Sequence, residues 1–329
     1  MATQRTNNPY KNTDSNKRYY TYDYYLRKMF GGKCAKIPLD IGCTCPNIDG
    51  TRGEGGCIYC SSRGSGDFAP SSKLSVAEQY KKGVEMMSKK WEVTRTIPYF
   101  QAHTNTYAPA DFLREKYYEA LAQENVVGIN IATRADCLSN DVLKLLSEIA
   151  EKTSLTVELG LQSTSDITAN VINRCHTYEE FKKGYYALRE ASQKIKICVH
   201  LINGLPGESF SDMEKTAKDV AVLAPDQVKL HLMHVIKGTV LCDMYERGEY
   251  TPLDKEEYVK IVARQLMLLP PDTVIGRITG DGAANDLVAP LWSLKKIQVI
   301  NDIDKYMYSE NLWQGKCYEQ NIGENAQKI

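Results

Sequence analysis

Three cysteines share one glycine-rich loop and have the spacing of metal ligands. Eleven residues separate Cys45 from Cys57, and two residues separate Cys57 from Cys60. Three thiolates can hold three irons of a [4Fe-4S] cube and leave the fourth iron open to a small molecule, whereas structural zinc takes four closed ligands. The spacing therefore predicts a [4Fe-4S] cluster with one reactive iron. Glycines that let the backbone wrap closely around such a cluster are Gly42, Gly50, Gly53, Gly55 and Gly56.

A structural zinc site is the alternative that this loop leaves open. Cys43 would supply the fourth thiolate, so that Cys43 and Cys45 would face Cys57 and Cys60 in one knuckle. The single residue between Cys43 and Cys45 is a tighter spacing than that of ordinary zinc fingers. The role of Cys43 therefore has to be tested.

The overall composition excludes several classes of protein. The chain has 329 residues, of which 43% are hydrophobic and 25% are charged, so it can bury the core of a globular protein. Its ten cysteines follow a polar start, and no run of about eighteen apolar residues occurs. We therefore expect reduced thiols in the cytoplasm and no membrane association. The 41 basic and 41 acidic side chains balance, so any surface for nucleic acid must be local.

The first forty residues are the best candidate for such a surface. Eight Lys and Arg residues outnumber three Asp residues there, and six tyrosines lie among them. Aromatic rings can stack on unpaired bases while neighbouring cations contact phosphates. The pattern indicates RNA binding, with Arg18 and Arg27 as residues to test. A packed N-terminal arm is the alternative of equal weight.

The rest of the chain alternates apolar strand segments with capped helices, which is typical of βα units and an α/β fold. Parallel strands are predicted near residues 36–41, 96–102, 126–132, 155–160, 196–203 and 228–234. Capping boxes that open helices are predicted at Ser75 with Glu78, at Thr177 with Glu180 and at Ser211 with Glu214. Six such strands favour a partial (βα)6 TIM-like barrel with ligands at the carboxyl ends of the strands. The tail adds one further apolar segment, from Thr273 to Ile278.

The predicted organisation has three parts that no long linker separates. Residues 1–34 form a basic and aromatic N-terminal extension, residues 35–240 form the partial barrel, and residues 241–329 form a C-terminal extension packed on the barrel.

Polar side chains follow the predicted strands and could bind a ligand. Each of these segments taken alone is explained as simply by a helix cap or a surface ion pair. Arg174 has the guanidinium fork that suits a ligand carboxylate. The other strand-end candidates are Gln101, Thr104, Asn105, Arg134, Glu158, Gln162, Asn203 and His231.

These segments, in this order, resemble the radical S-adenosylmethionine (SAM) superfamily. The resemblance covers nearly the whole chain, and it is to the YhcC/YtqA-type family, related to the radical SAM core of the elongator catalytic subunit. Two positions depart from the family pattern, because Cys43 stands where an aromatic residue is commoner and Ala135 replaces a usual proline. The segments that carry the likeness begin at Cys45-Pro46-Asn47, Gly55-Gly56-Cys57, Tyr99-Phe100-Gln101, Ala132-Thr133-Arg134, Val157-Glu158-Leu159, Asn203-Gly204-Leu205, Lys237-Gly238-Thr239 and Arg277-Ile278-Thr279-Gly280-Asp281-Gly282.

The resemblance implies a [4Fe-4S] cluster and SAM as cofactors. In the family, SAM binds the open iron, and an electron from a reduced flavodoxin or ferredoxin-type donor cleaves it to a 5′-deoxyadenosyl radical. By the same resemblance, Gln101 contacts the amino group of SAM and Arg174 its carboxylate, while Glu158 and Gln162 contact the ribose. The further cofactor-binding residues are Thr104, Asn105, Arg134, Asn203 and His231.

The branch of the family that the chain resembles most is YtqA, also called MnmL, which is linked to modification of the tRNA wobble uridine. The likeness lies in Asn16-Lys17-Arg18-Tyr19, Tyr25-Leu26-Arg27-Lys28 and Ser65-Gly66-Asp67-Phe68-Ala69. It implies conversion of 5-carboxymethylaminomethyl(-2-thio)uridine to 5-aminomethyl(-2-thio)uridine in tRNA, which a partner tRNA methyltransferase then methylates. Two alternatives stay open: a radical SAM enzyme acting on another RNA position or a small metabolite, and a non-enzymatic zinc or Fe-S protein that binds nucleic acid.

Overall fold

A computed structural model describes residues 8–61, 63, 64, 66, 69–280 and 284–320. Some positions used above lie outside these residues. They are the first seven residues of the predicted N-terminal extension, residues 321–329 of the predicted C-terminal extension, Ser65, Asp67 and Phe68 of one family segment, and Asp281 and Gly282 of another.

The described strands form a seven-stranded sheet and a two-stranded one. The strand order of the larger sheet is β1-β2-β3-β4-β5-β6-β8, and β7 pairs with β9. The pairs β1–β2, β2–β3, β3–β4 and β6–β8 are parallel. The strands are β1 (Ala35–Leu39), β2 (Thr96–Phe100), β3 (Gly128–Thr133), β4 (Ser154–Gln162), β5 (Lys196–Asn203), β6 (Gln227–Leu232), β7 (Val235–Ile236), β8 (Val274–Arg277) and β9 (Leu287–Ala289).

Helices follow most of these strands, as the βα pattern predicts. The helices are α1 (Tyr22–Phe30), α2 (Val76–Ser88), α3 (Ala110–Leu121), α4 (Asn140–Lys152), α5 (Asp166–Val171), α6 (Tyr178–Ala191), α7 (Phe210–Leu223), α8 (Val240–Glu246), α9 (Lys255–Leu268) and α10 (Lys296–Ser309), with a 3-10 turn at Leu291–Leu294. None of the described helices combines the length and hydropathy needed to cross a bilayer.

The α/β class with a parallel sheet is confirmed, and the sheet gains one strand over the six predicted. The apolar tail segment becomes β8, which pairs with β6 at the edge of the sheet. Burial is nearly continuous along β3 and β6, as expected for parallel strands covered on both faces. Apolar side chains such as Ile37, Leu39 and Ile131 are fully buried and form the core that fixes the strand ends.

Two predicted capping boxes are confirmed and the third is wrong. Ser75 and Thr177 cap α2 and α6 through reciprocal hydrogen bonds with the residues three positions later. In α7 the cap is Ser209, whose side chain accepts from the backbone N–H of Asp212. The predicted pair at Ser211 fails because the chain is already helical from Phe210, so Ser211 lies in the first turn.

The chain divides into two compact units. The β1–β4 unit comprises Leu26–Leu161 and Ala169–Cys198, and the tail unit comprises Met1–Tyr25, Gln162–Thr168 and Val199–Ile329. The three-part division drawn from the sequence stays a prediction.

The N-terminal arm is packed within the tail unit. Arg18 is buried, and its Nη1 donates to Asn311 Oδ1 at 3.1 Å and to the carbonyl of Leu312 at 3.2 Å. Tyr10 and Tyr19 are buried as well. The packed-arm alternative therefore describes these residues, whereas Arg27 on α1 is exposed.

A glycine in α6 gives a test of the packing in the β1–β4 unit. A Cβ at Gly184 would lie 2.0 Å from the carbonyl oxygen of Ala135, which is backbone and cannot rotate away. We expect Gly184→Ala to lower the free energy of unfolding by about 1–3 kcal/mol through overpacking. Lys183→Ala, at an exposed neighbour in the same helix, should change it by about 0.5 kcal/mol or less. Urea midpoints that agree for the two variants would contradict the packing.

Candidate functional site

The three predicted ligand cysteines lie in the loop that follows β1, within the β1–β4 unit. All three are half-buried free thiols. Tight turns place them: Ile48 N donates to the carbonyl of Cys45 at 2.8 Å, and Cys60 N donates to that of Cys57 at 3.0 Å. Gly55 and Gly56 adopt φ values of 78° and 75°, a left-handed conformation that favours glycine. The loop thus needs glycine at these two positions to adopt the turn that places its thiols.

A second segment of the β1–β4 unit anchors this loop through two asparagines. The Nδ2 of Asn47 donates to the carbonyl of Asn173 and also to the Sγ of Cys57 at 3.5 Å. In return, Asn173 Nδ2 donates to the carbonyls of Gly56 at 2.8 Å and Glu54 at 3.1 Å. The cysteine loop is therefore held by reciprocal side-chain to backbone bonds rather than by its own short turns alone.

Arg134 places a buried positive charge beside the loop. Its Nε and Nη2 bind Asp136 in a bidentate pair at 2.9 and 2.8 Å, and its Nη1 donates to the carbonyl of Arg174 at 2.8 Å. Burial raises the pKa of Asp136, but the hydrogen bond and charge of Arg134 outweigh it and hold that pKa below its usual value. Arg52 adds a second cation to the same carboxylate, with its Nε 3.2 Å from Asp136 Oδ2.

The surroundings of the thiols separate their protonation states. A hydrogen bond from Cys60, opposed by burial and aided by the charge of Arg134, lowers the pKa of Cys57 to about 7. Burial raises the pKa of Cys43 to about 12, and the charge of Asp40 adds to it. Cys57 is thus prepared to be a thiolate, and Cys43 is not.

The segment after β2 lies against the cysteine loop. Thr104 is buried, and its N–H donates to the carbonyl of Thr44, the residue before Cys45, at 3.3 Å. Asn105 is buried and donates its Nδ2 to the carbonyls of Ala102 and Ala132, both at 3.0 Å. Gln101 has a buried Nε2 without a hydrogen-bond partner in the described part of the chain. Asn105 thus ties the segment after β2 to β3, and Gln101 offers a polar group to a ligand.

Glu158 is a buried carboxylate on β4 that already has partners. Its Oε1 accepts from Lys36 Nζ at 2.8 Å and from Asn130 Nδ2 at 2.7 Å. The ammonium group of Lys36 also lies 4.3 Å from the ring centroid of Tyr99. Strands β1, β2, β3 and β4 therefore place a connected set of polar groups in the β1–β4 unit.

Arg174 is fully buried and is bound to backbone carbonyls. Its Nε and Nη2 donate to the carbonyl of His176 at 3.1 and 2.9 Å, and its Nη1 donates to that of Leu161. The guanidinium predicted to meet a ligand carboxylate is thus fixed in place by the fold. Both ring nitrogens of His176 are buried and have no hydrogen-bond partner among the described residues.

The remaining predicted residues belong to the tail unit. Asn203 is buried and exchanges two hydrogen bonds with Gln265, at 2.9 and 2.7 Å. The rings of His231 and His200 lie 5.1 Å apart. Gln162 ends β4 with a left-handed φ of 66°. Asn203 is therefore satisfied within the protein, while the two histidines form a ring pair.

Sequence reasoning missed several residues that shape the site: Asn47, Asn130, Asn173 and Lys36. Asn47 lies between two ligand cysteines and Asn173 lies beside Arg174, so their positions were visible. Their pairing joins residues that are 126 positions apart, and a local pattern carries no trace of it.

Family comparison matches two consecutive stretches of the chain. The Radical SAM superfamily matches residues 48–220, and the Radical_SAM C-terminal domain matches residues 225–309. The chain belongs to the radical SAM superfamily. Cys57 and Cys60 lie inside the first match, and Cys45 lies three residues before it.

Individual relatives support the same assignment. YtqA of Bacillus subtilis (strain 168) is 43% identical over 320 residues, which are 97% of this chain and 99% of YtqA. Protein YhcC of Escherichia coli (strain K12) is 33% identical over 283 residues, 86% of this chain and 90% of YhcC. The tRNA uridine(34) acetyltransferase of Methanocaldococcus infernus is 29% identical over 194 residues, 58% of this chain and 35% of that enzyme. The predicted resemblance to the YhcC/YtqA-type family is thus confirmed.

A solved structure shows the same fold. The archaeal Methanocaldococcus infernus Elp3 with an N-terminal deletion aligns with a TM-score of 0.65 at 20% identity, over 85% of this chain and 64% of that one. The predicted α/β partial barrel of the radical SAM type is therefore confirmed.

The radical SAM superfamily uses a [4Fe-4S] cluster and SAM, and these are the cofactors of this chain. The residues present fit them. The loop supplies three half-buried thiols, one of them with a lowered pKa, and a buried arginine offsets the negative charge of thiolates. The buried Nε2 of Gln101 and Oδ1 of Asn47 have no hydrogen-bond partner in the described residues, as expected where a polar cofactor completes a site.

His176 makes the site sensitive to acid. Burial, together with the charges of Arg174 and Arg134, lowers its pKa to about 3, so the folded protein keeps this imidazole neutral. The unfolded chain protonates it near pH 6.5. Its contribution to stability is therefore present above about pH 6.5 and is lost progressively as the pH falls toward 3.

We expect His176→Gln to flatten this acid dependence, because glutamine does not titrate. The measurement is the urea midpoint at several pH values between 7 and 4, compared with wild type. An unchanged loss of stability over that interval would contradict the assignment.

Proposed function

We propose that this protein is a radical SAM enzyme of tRNA wobble-uridine modification, and that it converts 5-carboxymethylaminomethyl(-2-thio)uridine to 5-aminomethyl(-2-thio)uridine. The observation that carries the proposal is the anchored three-cysteine loop beside the buried cation Arg134. The tRNA uridine(34) acetyltransferase, whose alignment covers 58% of this chain, supports uridine 34 of tRNA as the target. Similarity to YtqA extends over 97% of the chain, so the resemblance to that branch, which implies this conversion, covers nearly the whole chain.

In this proposal Cys45, Cys57 and Cys60 each hold one iron, and SAM takes the fourth. When bound, the cluster and SAM together supply a carbon radical that removes a hydrogen atom from the substrate. Arg134 offsets the negative charge of the thiolates from a buried position, where the charge acts through a low dielectric. Asn47 keeps Cys57 in place by donating to its sulfur at 3.5 Å.

SAM would be oriented by the polar groups at the ends of β2, β3 and β4. Gln101 contacts its amino group, and the Lys36 ammonium and the Asn130 amide hold the Glu158 carboxylate ready to accept from the ribose. Arg174 would bind the SAM carboxylate through a guanidinium that backbone carbonyls already fix. Such fixed groups lower the cost of orienting SAM and the target C–H bond. Thr104, Asn105, Gln162, Asn203 and His231 remain cofactor-binding candidates.

The target of hydrogen abstraction is the CH₂ group between the secondary amine and the carboxylate of the substituent. A radical there would be stabilised by both neighbours. Return of its unpaired electron to the oxidised cluster, with loss of the N–H proton, would give an imine, and water would then hydrolyse the imine to leave the aminomethyl group and release a two-carbon oxo acid. A reduced flavodoxin or ferredoxin-type protein supplies the electron, and a tRNA methyltransferase accepts the product. The site of action is the cytoplasm, where tRNA is modified.

Reconstituted enzyme tests the substrate. Anaerobic incubation with SAM, a reductant and tRNA that carries carboxymethylaminomethyluridine should yield 5′-deoxyadenosine and aminomethyluridine in similar amounts. Mass spectrometry of the digested tRNA and chromatography of the nucleosides measure both. The matched control is the same tRNA with unmodified wobble uridine. Deoxyadenosine formation that is equal with both tRNAs would defeat the proposed substrate, and so would a lack of precursor accumulation in cells without this gene.

Metal content tests the ligand set. The anaerobically reconstituted protein should be brown and hold about four irons per chain, and Cys57→Ala should lose most of the iron and the colour. Cys43→Ala should keep both, because burial holds the Cys43 thiol protonated. Loss of metal in both variants, or stoichiometric zinc in colourless protein, would support the four-cysteine zinc site instead.

A further inference from the structure

Cys175 is a fourth thiol at the cysteine loop and has no role in the proposed function. The structure assigns it one: we propose that Cys175 binds the fourth iron of the cluster when SAM is absent and gives way when SAM binds. This inference rests on the proposed ligand set of Cys45, Cys57 and Cys60.

The first observation is the close approach of Cys175 to the loop. A Cβ at Gly53, which lies between the first two ligand cysteines, would be 2.6 Å from the Sγ of Cys175 and 2.5 Å from the Oδ1 of Asn47. Both atoms therefore lie against the bare backbone of Gly53, and the small space that they border has no room for a side chain at position 53. The Sγ of Cys175 itself donates to Asn173 Oδ1 at 3.2 Å, so Cys175 belongs to the same asparagine network that anchors the loop.

The second observation is the unsatisfied side chain that faces this space. Asn47 is only 1% exposed, and its Oδ1 has no hydrogen-bond partner among the described residues. A buried acceptor left in this state costs about 1–3 kcal/mol, which a bound donor relieves. The Nδ2 of the same amide donates to Cys57 Sγ at 3.5 Å, so the space adjoins a proposed ligand of the cluster. Asn47 Oδ1 thus lacks a donor at the point where Cys175 approaches the cysteine loop.

The backbone at Cys175 is held in a demanding conformation. Its φ is 57°, in the left-handed region, which costs a residue with a side chain about 1–2 kcal/mol. Arg134 fixes the segment by donating to the carbonyls of Arg174 at 2.8 Å and of Cys175 at 3.5 Å. A residue kept in such a conformation by its surroundings is a feature found at functional sites. Here the conformation points Cys175 at the loop.

The exchange involves no change of oxidation state. When Cys175 binds iron, an Fe–S bond forms and the thiol proton passes to solvent. When SAM bound, its carboxylate and its deprotonated amino group would replace that bond, and the proton that the ammonium group loses would pass to the thiolate. The resting protein would thus keep a closed cluster that resists loss of its fourth iron.

Spectroscopy of the loaded protein tests this exchange. We expect SAM-free wild type to keep its fourth iron during brief mild oxidation, whereas Cys175→Gly should lose it and show an EPR signal of the [3Fe-4S] form that is about fivefold stronger. Added SAM should remove the difference, because SAM then covers the fourth iron in both proteins. Equal [3Fe-4S] signals in the SAM-free proteins would overturn the inference.

The controls separate this inference from the proposed function. Glycine suits a φ of 57°, so Cys175→Gly should fold at least as well as wild type, which thermal unfolding checks. Cys34→Ser removes a thiol elsewhere in the β1–β4 unit and should match wild type in the oxidation assay. If Cys57→Ala retains the full cluster, the proposed ligand set fails, whereas an intact cluster with no effect of Cys175→Gly defeats only the role of Cys175.

Discussion

The buried guanidinium of Arg134 is the interaction on which the rest of the site depends. It joins two stretches of chain: its own segment after β3, where it binds the carboxylate of Asp136, and the segment that presents the carbonyls of Arg174 and Cys175. Removing one partner of a buried, hydrogen-bonded ion pair costs about 3–5 kcal/mol, because the other charge is left uncompensated. A lysine could not take its place, since one ammonium group cannot bind a carboxylate in bidentate fashion and also hold two carbonyls in a plane.

The cysteine loop is held in place by the segment that Arg134 fixes. A loop so rich in glycine loses much conformational entropy when it is fixed, and its own backbone hydrogen bonds offset part of that cost. Asn47 and Asn173 supply the rest by linking the loop to the segment that Arg134 holds. Protein groups thus help to position the thiols, as a second shell of hydrogen bonds does around a binding site.

Local patterns predicted the elements well and the site only in part. The strand at 196–203 agrees with β5, and the capping boxes of α2 and α6 were visible because their partners are three residues apart. The spacing of Cys45, Cys57 and Cys60 identified the candidate ligands for the same reason. The bond between Lys36 and Glu158 joins residues 122 positions apart, so it depends on strand order and register rather than on any local signal. The guanidinium of Arg174 was expected to be available to a ligand carboxylate. In the structure its N–H groups also donate to backbone carbonyls that the fold buries.

The surroundings of each cysteine, and not only the spacing of the cysteines, indicate which of them bind metal. Ten cysteines occur in the chain, and their spacing leaves Cys43 open as the fourth ligand of a zinc site. Burial raises the pKa values of Cys43 and Cys137 to about 12, whereas the hydrogen bond from Cys60 lowers that of Cys57 to about 7. A thiol must lose its proton to bind metal, so a raised pKa makes its ligation at neutral pH less favourable. Burial raises the pKa of Cys175 as well, which agrees with a ligand weak enough for SAM to displace. The fold thus favours the thiolate at Cys57 and disfavours it at Cys43, which supports the three-cysteine ligand set over a zinc site completed by Cys43.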